Sequence, residues 1–232
     1  MERKIEEFFK KWQKDIIRKP LILYGPKQIG KTFTVLNFGK KEYKNVVYFN
    51  TENNDEIIEL FAKEKNIDKI ILNLSLTSGE TILKEDTLII LDNLDNLDIV
   101  KGLKLFGSER SKYHIIAITS RRERLNEFKG EELQFKGMNE MDFEEYLWAK
   151  GEKSLAELIR ESYTKHKLCP FHKVALDLFQ EYLMTGGLPE VVQADLDGKT
   201  IYEIDAIKQK VIDIYKKEIS LNKVLIDIPR GI

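Results

Sequence analysis

The sequence holds a single cysteine, Cys169, so no intrachain disulfide can form and a reducing, cytoplasmic setting is expected. Histidine is also scarce, with three copies, and His166 and His172 do not stand at metal-site spacing from carboxylates. No apolar run approaches the roughly 20 residues that a helix needs to cross a bilayer. The longest apolar bursts are strand length. The opening MERKIEEFFKKWQKD lacks the apolar stretch of a signal peptide, so no membrane partner is expected. Neither sign of charge prevails: 38 basic residues against 39 acidic ones leave a net charge of −1. That total argues against a nucleic-acid coat protein or a polybasic membrane binder. Internal repeats and low-complexity tracts are absent as well.

The 232 residues suit one large domain, or one domain with a small appendage. Hydrophobic residues make up 42% and charged ones 33%, the balance of a folded globular chain. The near-zero net charge conceals an asymmetry. Residues 1–50 carry twelve basic and five acidic side chains, and residues 51–100 carry four basic and twelve acidic.

Periodicity divides the chain in two. Ile5, Phe8, Phe9, Trp12, Ile16 and Ile17 form one apolar stripe on a helix over 2–17, which Pro20 ends. Strands are expected at 21–25 (LILYG), 46–50 (VVYFN), 87–92 (TLIILD), 114–120 (HIIAITS) and 132–137 (ELQFKG). Helices are expected over 30–40, over 55–65 with Asp55 as its cap, and over 121–127. Strands alternating with helices point to a parallel sheet covered on both faces. Beyond about residue 140 only helical patterns remain, over 142–149, 153–166, 171–184, 189–194 and 204–220. The expected domains are 1–140, a sheet domain, and 141–232, a small helical one.

Residues 25–32 read GPKQIGKT and match G-x-x-x-x-G-K-[ST] between a strand and a helix. Glycines let the backbone turn so that several N–H groups converge on one phosphate, and the following helix aims its positive end at the same point. Gly25, Pro26, Lys27, Gln28, Ile29, Gly30, Lys31, Thr32 and the adjoining Phe33 are therefore the candidate nucleotide-binding residues. Lys31 would bridge the β- and γ-phosphates, and the Thr32 hydroxyl would ligate Mg²⁺. Such a loop needs a metal-organising carboxylate on a neighbouring strand, and Asp92 ends the apolar run LIIL. Many ATPases place Glu next, to polarise the attacking water; here the residue is Asn93. An amide orients water but takes no proton, and loss of a general base costs about 10²–10⁴-fold in rate. Asp95, two residues on, is a substitute base to consider. The N/T-K-x-D motif of guanine specificity is missing, which favours ATP.

These residues resemble a family of prokaryotic AAA-type ATPases, the archaeal-ATPase-like group, members of which often carry a further C-terminal domain. The resemblance runs through 18–40, LIILDNLD (88–95), YHIIAITS (113–120), GMNEMDFEEYL (137–147), EYLMTGGLPEVV (181–192) and VIDIYKKEIS (211–220), covering nearly the whole chain in order. It implies an α/β P-loop NTPase fold of the AAA+ (ASCE) type: a parallel five-stranded sheet flanked by helices, followed by a small all-helical lid domain. In such a sheet HIIAITS would lie between the phosphate-loop strand and the Asp92 strand. The resemblance makes Ser120, or Thr119, the polar sensor of the γ-phosphate. It implies ATP/ADP and Mg²⁺ as ligands, and a homo-oligomer and a DNA or protein client are compatible with it.

Two departures from the family stand out: Asn93 follows Asp92 where the family has Glu, and the chain stops at LIDIPRGI. The second leaves a shortened chain and a naturally short member both open. The first leaves two readings, a slow ATP-driven switch and a non-hydrolysing ATP-gated binding module. A small-molecule kinase fits less well, given the extra strand and the helical tail. Arg121, Arg122 and Arg124 follow the sensor strand, either as phosphate-reaching cations or as a solvated helix paired with Glu123 and Glu127. TGGLPEVV reads as an elbow between two helices, with a DNA-reading turn as the alternative.

Overall fold

A computed structural model describes residues 1–108, 111–121, 125–128 and 130–226. Arg122, Glu123, Arg124 and the terminal 227–232 lie outside the described residues. The chain divides into two compact units, Arg3–Asn139 and a second made of Met1–Glu2 with Glu140–Ile232.

The first unit is built on a parallel sheet of β1 (Leu21–Tyr24), β2 (Asn45–Asn50), β3 (Thr87–Asp92), β4 (His114–Thr119) and β5 (Gln134–Gly137). Their order is β2-β3-β4-β1-β5, so β4 separates the phosphate-loop strand from the Asp92 strand. All six residues of β3 and of β4 are buried, as central strands covered on both faces must be. Along β3 the side chains alternate. Ile89 and Leu91 join Phe61, Ile70 and Phe106 in one core, while Leu88 lies beside Gly39 on the opposite face. Each such aliphatic side chain, removed wholly from water, contributes about 2 kcal/mol.

Helices α1 (Ile5–Gln13) and α2 (Lys31–Glu42) pack together, with the Phe9 and Phe38 rings 5.2 Å apart. Helix α1 is shorter than its stripe suggested. Ile16 and Ile17 lie beyond its end and are exposed, because the chain turns at Lys14–Asp15 before reaching β1. Helices α3 (Asp55–Lys63), α4 (Ile67–Ser78) and α5 (Leu97–Ser108) contribute to the core that holds Ile89 and Leu91. The cap of α3 is Asn54, whose side chain accepts from Ile57 N, and not Asp55, which lies in the first turn. Helix α6 is described over Leu125–Phe128.

The second unit holds α7 (Phe143–Ala149), α8 (Lys153–Thr164), α9 (His172–Thr185), α10 (Pro189–Leu196) and α11 (Ile201–Ile226). A capping box of Asp142 and Glu145 opens α7. Gly186, at φ 82°, closes α9, and Pro189 opens α10. A Cβ on Gly187 would stand 2.1 Å from Met141 O, so this close backbone approach requires glycine there. Lys150 ties α7 to α9 and α10 through Glu181 at 3.2 Å and Asp195 at 2.9 Å. Among the described residues no helix is long and apolar enough to cross a membrane.

Candidate nucleotide site

The C-terminal ends of the parallel strands bring the chemistry-bearing residues to one edge of the sheet. Thr119 O, at the end of β4, accepts from Gly25 N at 3.3 Å, and Tyr24 O accepts from Met138 N at 2.8 Å. On the other side of β4, Ile118 O accepts from Leu94 N, and Asp92 O accepts from Thr51 N. The strand register thus continues into the loops that carry the candidate site and ties them to the ends of the strands.

The loop between β1 and α2 turns through two left-handed residues, Gln28 at φ 61° and Gly30 at φ 84°. Gly25 has no room for a side chain, since a Cβ there would stand 2.2 Å from Met138 O. Pro26, Lys27 and Gln28 are exposed, and so is Phe33, whereas the Ile29 side chain is buried and anchors the loop to the core. Helix α2 starts at Lys31, so its free N–H groups and positive end open onto the loop. The Lys31 ammonium donates to Gly25 O at 2.8 Å, to Pro26 O at 2.6 Å and to Ser120 Oγ at 3.2 Å. Ser120 therefore faces the loop. Thr119 is buried, and its hydroxyl oxygen accepts from Arg121 N.

Asp92 is buried and held by three donors. Thr32 Oγ1 and Tyr48 Oη donate to Oδ2 at 2.7 and 3.0 Å, and the backbone N–H of Asn93 donates to Oδ1 at 2.8 Å. Burial first, then the Asp92 charge and the bond to it, push the Tyr48 phenol up to about 12. A hydroxyl and a carboxylate in contact beside the loop are the hard oxygen donors that Mg²⁺ takes together with nucleotide phosphates. Thr32 and Asp92 thus fit that ion, which would neutralise phosphate charge. The N-terminal end of α2, with Lys31, fits the phosphates.

Asn93 lies at φ 58°, and its amide nitrogen donates to Asn50 Oδ1 at 3.0 Å. Thr51 Oγ1 donates to Asp92 O and Asn93 O, which fixes this turn from the β2 side. Asp95 forms an ion pair with Arg121 at 3.0 Å, the two groups being about half exposed.

A family profile described as "AAA domain" matches residues 17–147, more than half of the chain. The chain belongs to the AAA domain family. It is an ATP-binding protein of AAA type. A search of curated proteins finds no match. Among solved structures, a Signal Transduction ATPase with Numerous Domains (STAND) protein with a tetratricopeptide repeat sensor, from Pyrococcus horikoshii, is similar at 18% identity and a TM-score of 0.44, over 82% of this chain. This AAA chain spans 28% of that protein's length. Drosophila ORC bound to DNA is similar at 16% identity and a TM-score of 0.44, over 97% of this chain and 67% of that one.

Three site residues escaped the sequence reading. Tyr48 and Asn50 alternate along β2 onto the face away from Phe49, but their partners became evident only once β2 paired with β3 in register, Asn50 opposite Asp92. Arg3 is buried at the N-terminal edge of α1. Its guanidinium donates to Ile29 O of the phosphate loop at 2.9 Å and to Asn139 O at 2.6 Å. No local pattern signals a bond across 26 or 136 residues.

Proposed function

We propose that this AAA protein is an ATP–Mg²⁺-driven switch that hydrolyses slowly. Lys31 and the loop N–H groups bind the phosphates, Thr32 and Asp92 hold the metal, and Ser120 senses the γ-phosphate. In this reading residues 1–140 form the ATPase core, and residues 141–232 form a helical lid whose position follows the nucleotide. The observation that carries it is Asn93. It occupies the place after Asp92 where a water-polarising Glu would stand, and its amide donates to Asn50. An amide offers no general base, which sets the expected rate about 10²–10⁴-fold below that of a chain with one. Asp95 is engaged with Arg121 in an ion pair, which disfavours it as a free substitute base.

The test is an ATP titration run beside a phosphate-release assay. Tight, Mg²⁺-dependent binding with slow release is expected, and Lys31→Ala should lose the binding. Asn93→Glu should raise the release rate at least tenfold. Turnover of ordinary magnitude, on the order of 10 per second, with no change in Asn93→Glu, would sink the reading. Tight binding with no measurable release would support the second reading, an ATP-gated binding module, which the Asn93–Asn50 bond also favours.

A further inference from the structure

We propose that Tyr48 is a positioning residue for the metal side of the site, fixing the Asp92 carboxylate in the orientation that receives nucleotide-bound Mg²⁺. The inference rests on the reading of residues 25–32 as an ATP–Mg²⁺ site and adds a residue to it.

Tyr48 Oη and Thr32 Oγ1 converge on one oxygen, Asp92 Oδ2, at 3.0 and 2.7 Å. The other oxygen, Oδ1, accepts from Asn93 N at 2.8 Å. The last torsion of an aspartate side chain is soft and close to two-fold, so its orientation is set by what donates to it. Thr32 cannot be the steady donor, because its hydroxyl is the group that would turn its oxygen to a metal. Asn93 holds only the far oxygen, and from a left-handed turn residue at φ 58°. Tyr48 remains as the donor on the metal-facing oxygen.

It is also carried on a paired strand, unlike the loop residue Asn93. Strand β2 pairs with β3 over six successive residues, from Asn45 opposite Thr87 to Asn50 opposite Asp92. A group carried on a paired strand is placed more exactly than one on a loop. A hydrogen bond to a charged acceptor is among the stronger ones, and its loss here falls on the metal ligand rather than on the phosphates.

The experiment is calorimetric titration of ADP into the full chain with and without Mg²⁺, for the parent protein and Tyr48→Phe. The variant keeps the ring and removes only the donor. We expect Mg²⁺-free affinity to stay within about twofold, and the affinity gain conferred by Mg²⁺ to fall roughly tenfold. An unchanged Mg²⁺ gain would overturn the proposal while leaving the ATP–Mg²⁺ reading intact. A parent protein that binds no nucleotide would overturn that reading first. Because Tyr48→Phe can also disturb folding, a second measurement uses the parent chain carrying 3-fluorotyrosine. Mn²⁺ added with ADP should broaden the Tyr48 fluorine resonance, and a sharp Tyr48 line under saturating Mn²⁺–ADP counts against the proposal.

Discussion

At the scale of single residues, Asn93 joins two physical roles. Its φ of 58° is left-handed, a region that asparagine tolerates better than most non-glycine residues. A glutamate there would restore a general base but strain the backbone by roughly 1 kcal/mol. Asn93→Glu is therefore expected to melt slightly lower while releasing phosphate faster, a divergence that a purely structural asparagine would not show. His114 makes a different prediction. It is 3% exposed, its Nδ1 lies 2.6 Å from Tyr43 Oη, and burial, with the Arg18 charge second, lowers its pKa to about 4. The folded state holds the neutral ring, while the unfolded chain protonates near 6.5. The resulting stability is complete above about pH 6.5 and drains away as pH falls toward 4. Urea midpoints at pH 7.5 and 4.5 should show the parent losing roughly 2 kcal/mol more on acidification than Tyr43→Phe/His114→Phe. Parallel losses would show that His114 is charged in the folded state.

At the scale of elements, helix α1 does more than cover the sheet. Arg3, at its head, bonds to the phosphate loop at Ile29 O and to the segment after β5 at Asn139 O. Arg3→Met removes a donor from both carbonyls at a buried position, and stability should fall by about 2 kcal/mol in urea. ADP affinity should fall with it, because the loop loses its brace. Arg3→Lys should recover little, since one ammonium does not reproduce the planar fork that spans two carbonyls. A variant with reduced stability but unaltered ADP affinity would separate Arg3 from the loop.

The same scale shows which elements were legible. All five strands were, because TLIILD and HIIAITS are short apolar runs bounded by turn residues. Helices α4 and α5 were not. Leu72 and Leu76 of α4 are apolar yet exposed, which blurs its stripe. Helix α5 carries Gly102 and Gly107 inside it, residues that read locally as helix breakers. Packing explains both: a Cβ on Gly102 would overlap Phe61, and one on Gly107 would overlap Glu132 O. A glycine that is unfavourable to the helix is required by its neighbour, and only tertiary contact reveals that.

At the scale of the whole molecule, ligand binding should report on fold stability. A nucleotide that binds only the folded chain stabilises it by about 2.7 kcal/mol at a hundredfold excess over its Kd. For a chain of this length that corresponds to a melting rise of roughly 5–10 °C with ADP and Mg²⁺. Lys31→Ala should abolish the rise, and a rise that persists in Lys31→Ala would place the nucleotide elsewhere. The charge asymmetry also finds its place at this scale. The basic first fifty residues contain the loop proposed for polyphosphate, and the acidic next fifty contain Asp92, the proposed metal ligand.

By itself the sequence determined the parts that depend on near neighbours. The candidate phosphate loop is eight contiguous residues, Asp92 ends one apolar strand, and the change to helical patterning near residue 140 is a change of local period. Tertiary structure alone decided which groups meet. Tyr48 and Asn50 reach Asp92 and Asn93 because two parallel strands pair in one register. Asp95 finds Arg121 because β4 lies next to β3, and Arg3 finds Ile29 because α1 packs beside α2. The physical reason is separation along the chain. A helix period or a glycine-rich turn is written within about ten residues, whereas a bond across 26, 43 or 44 residues exists only after the sheet has set the register that brings its ends together.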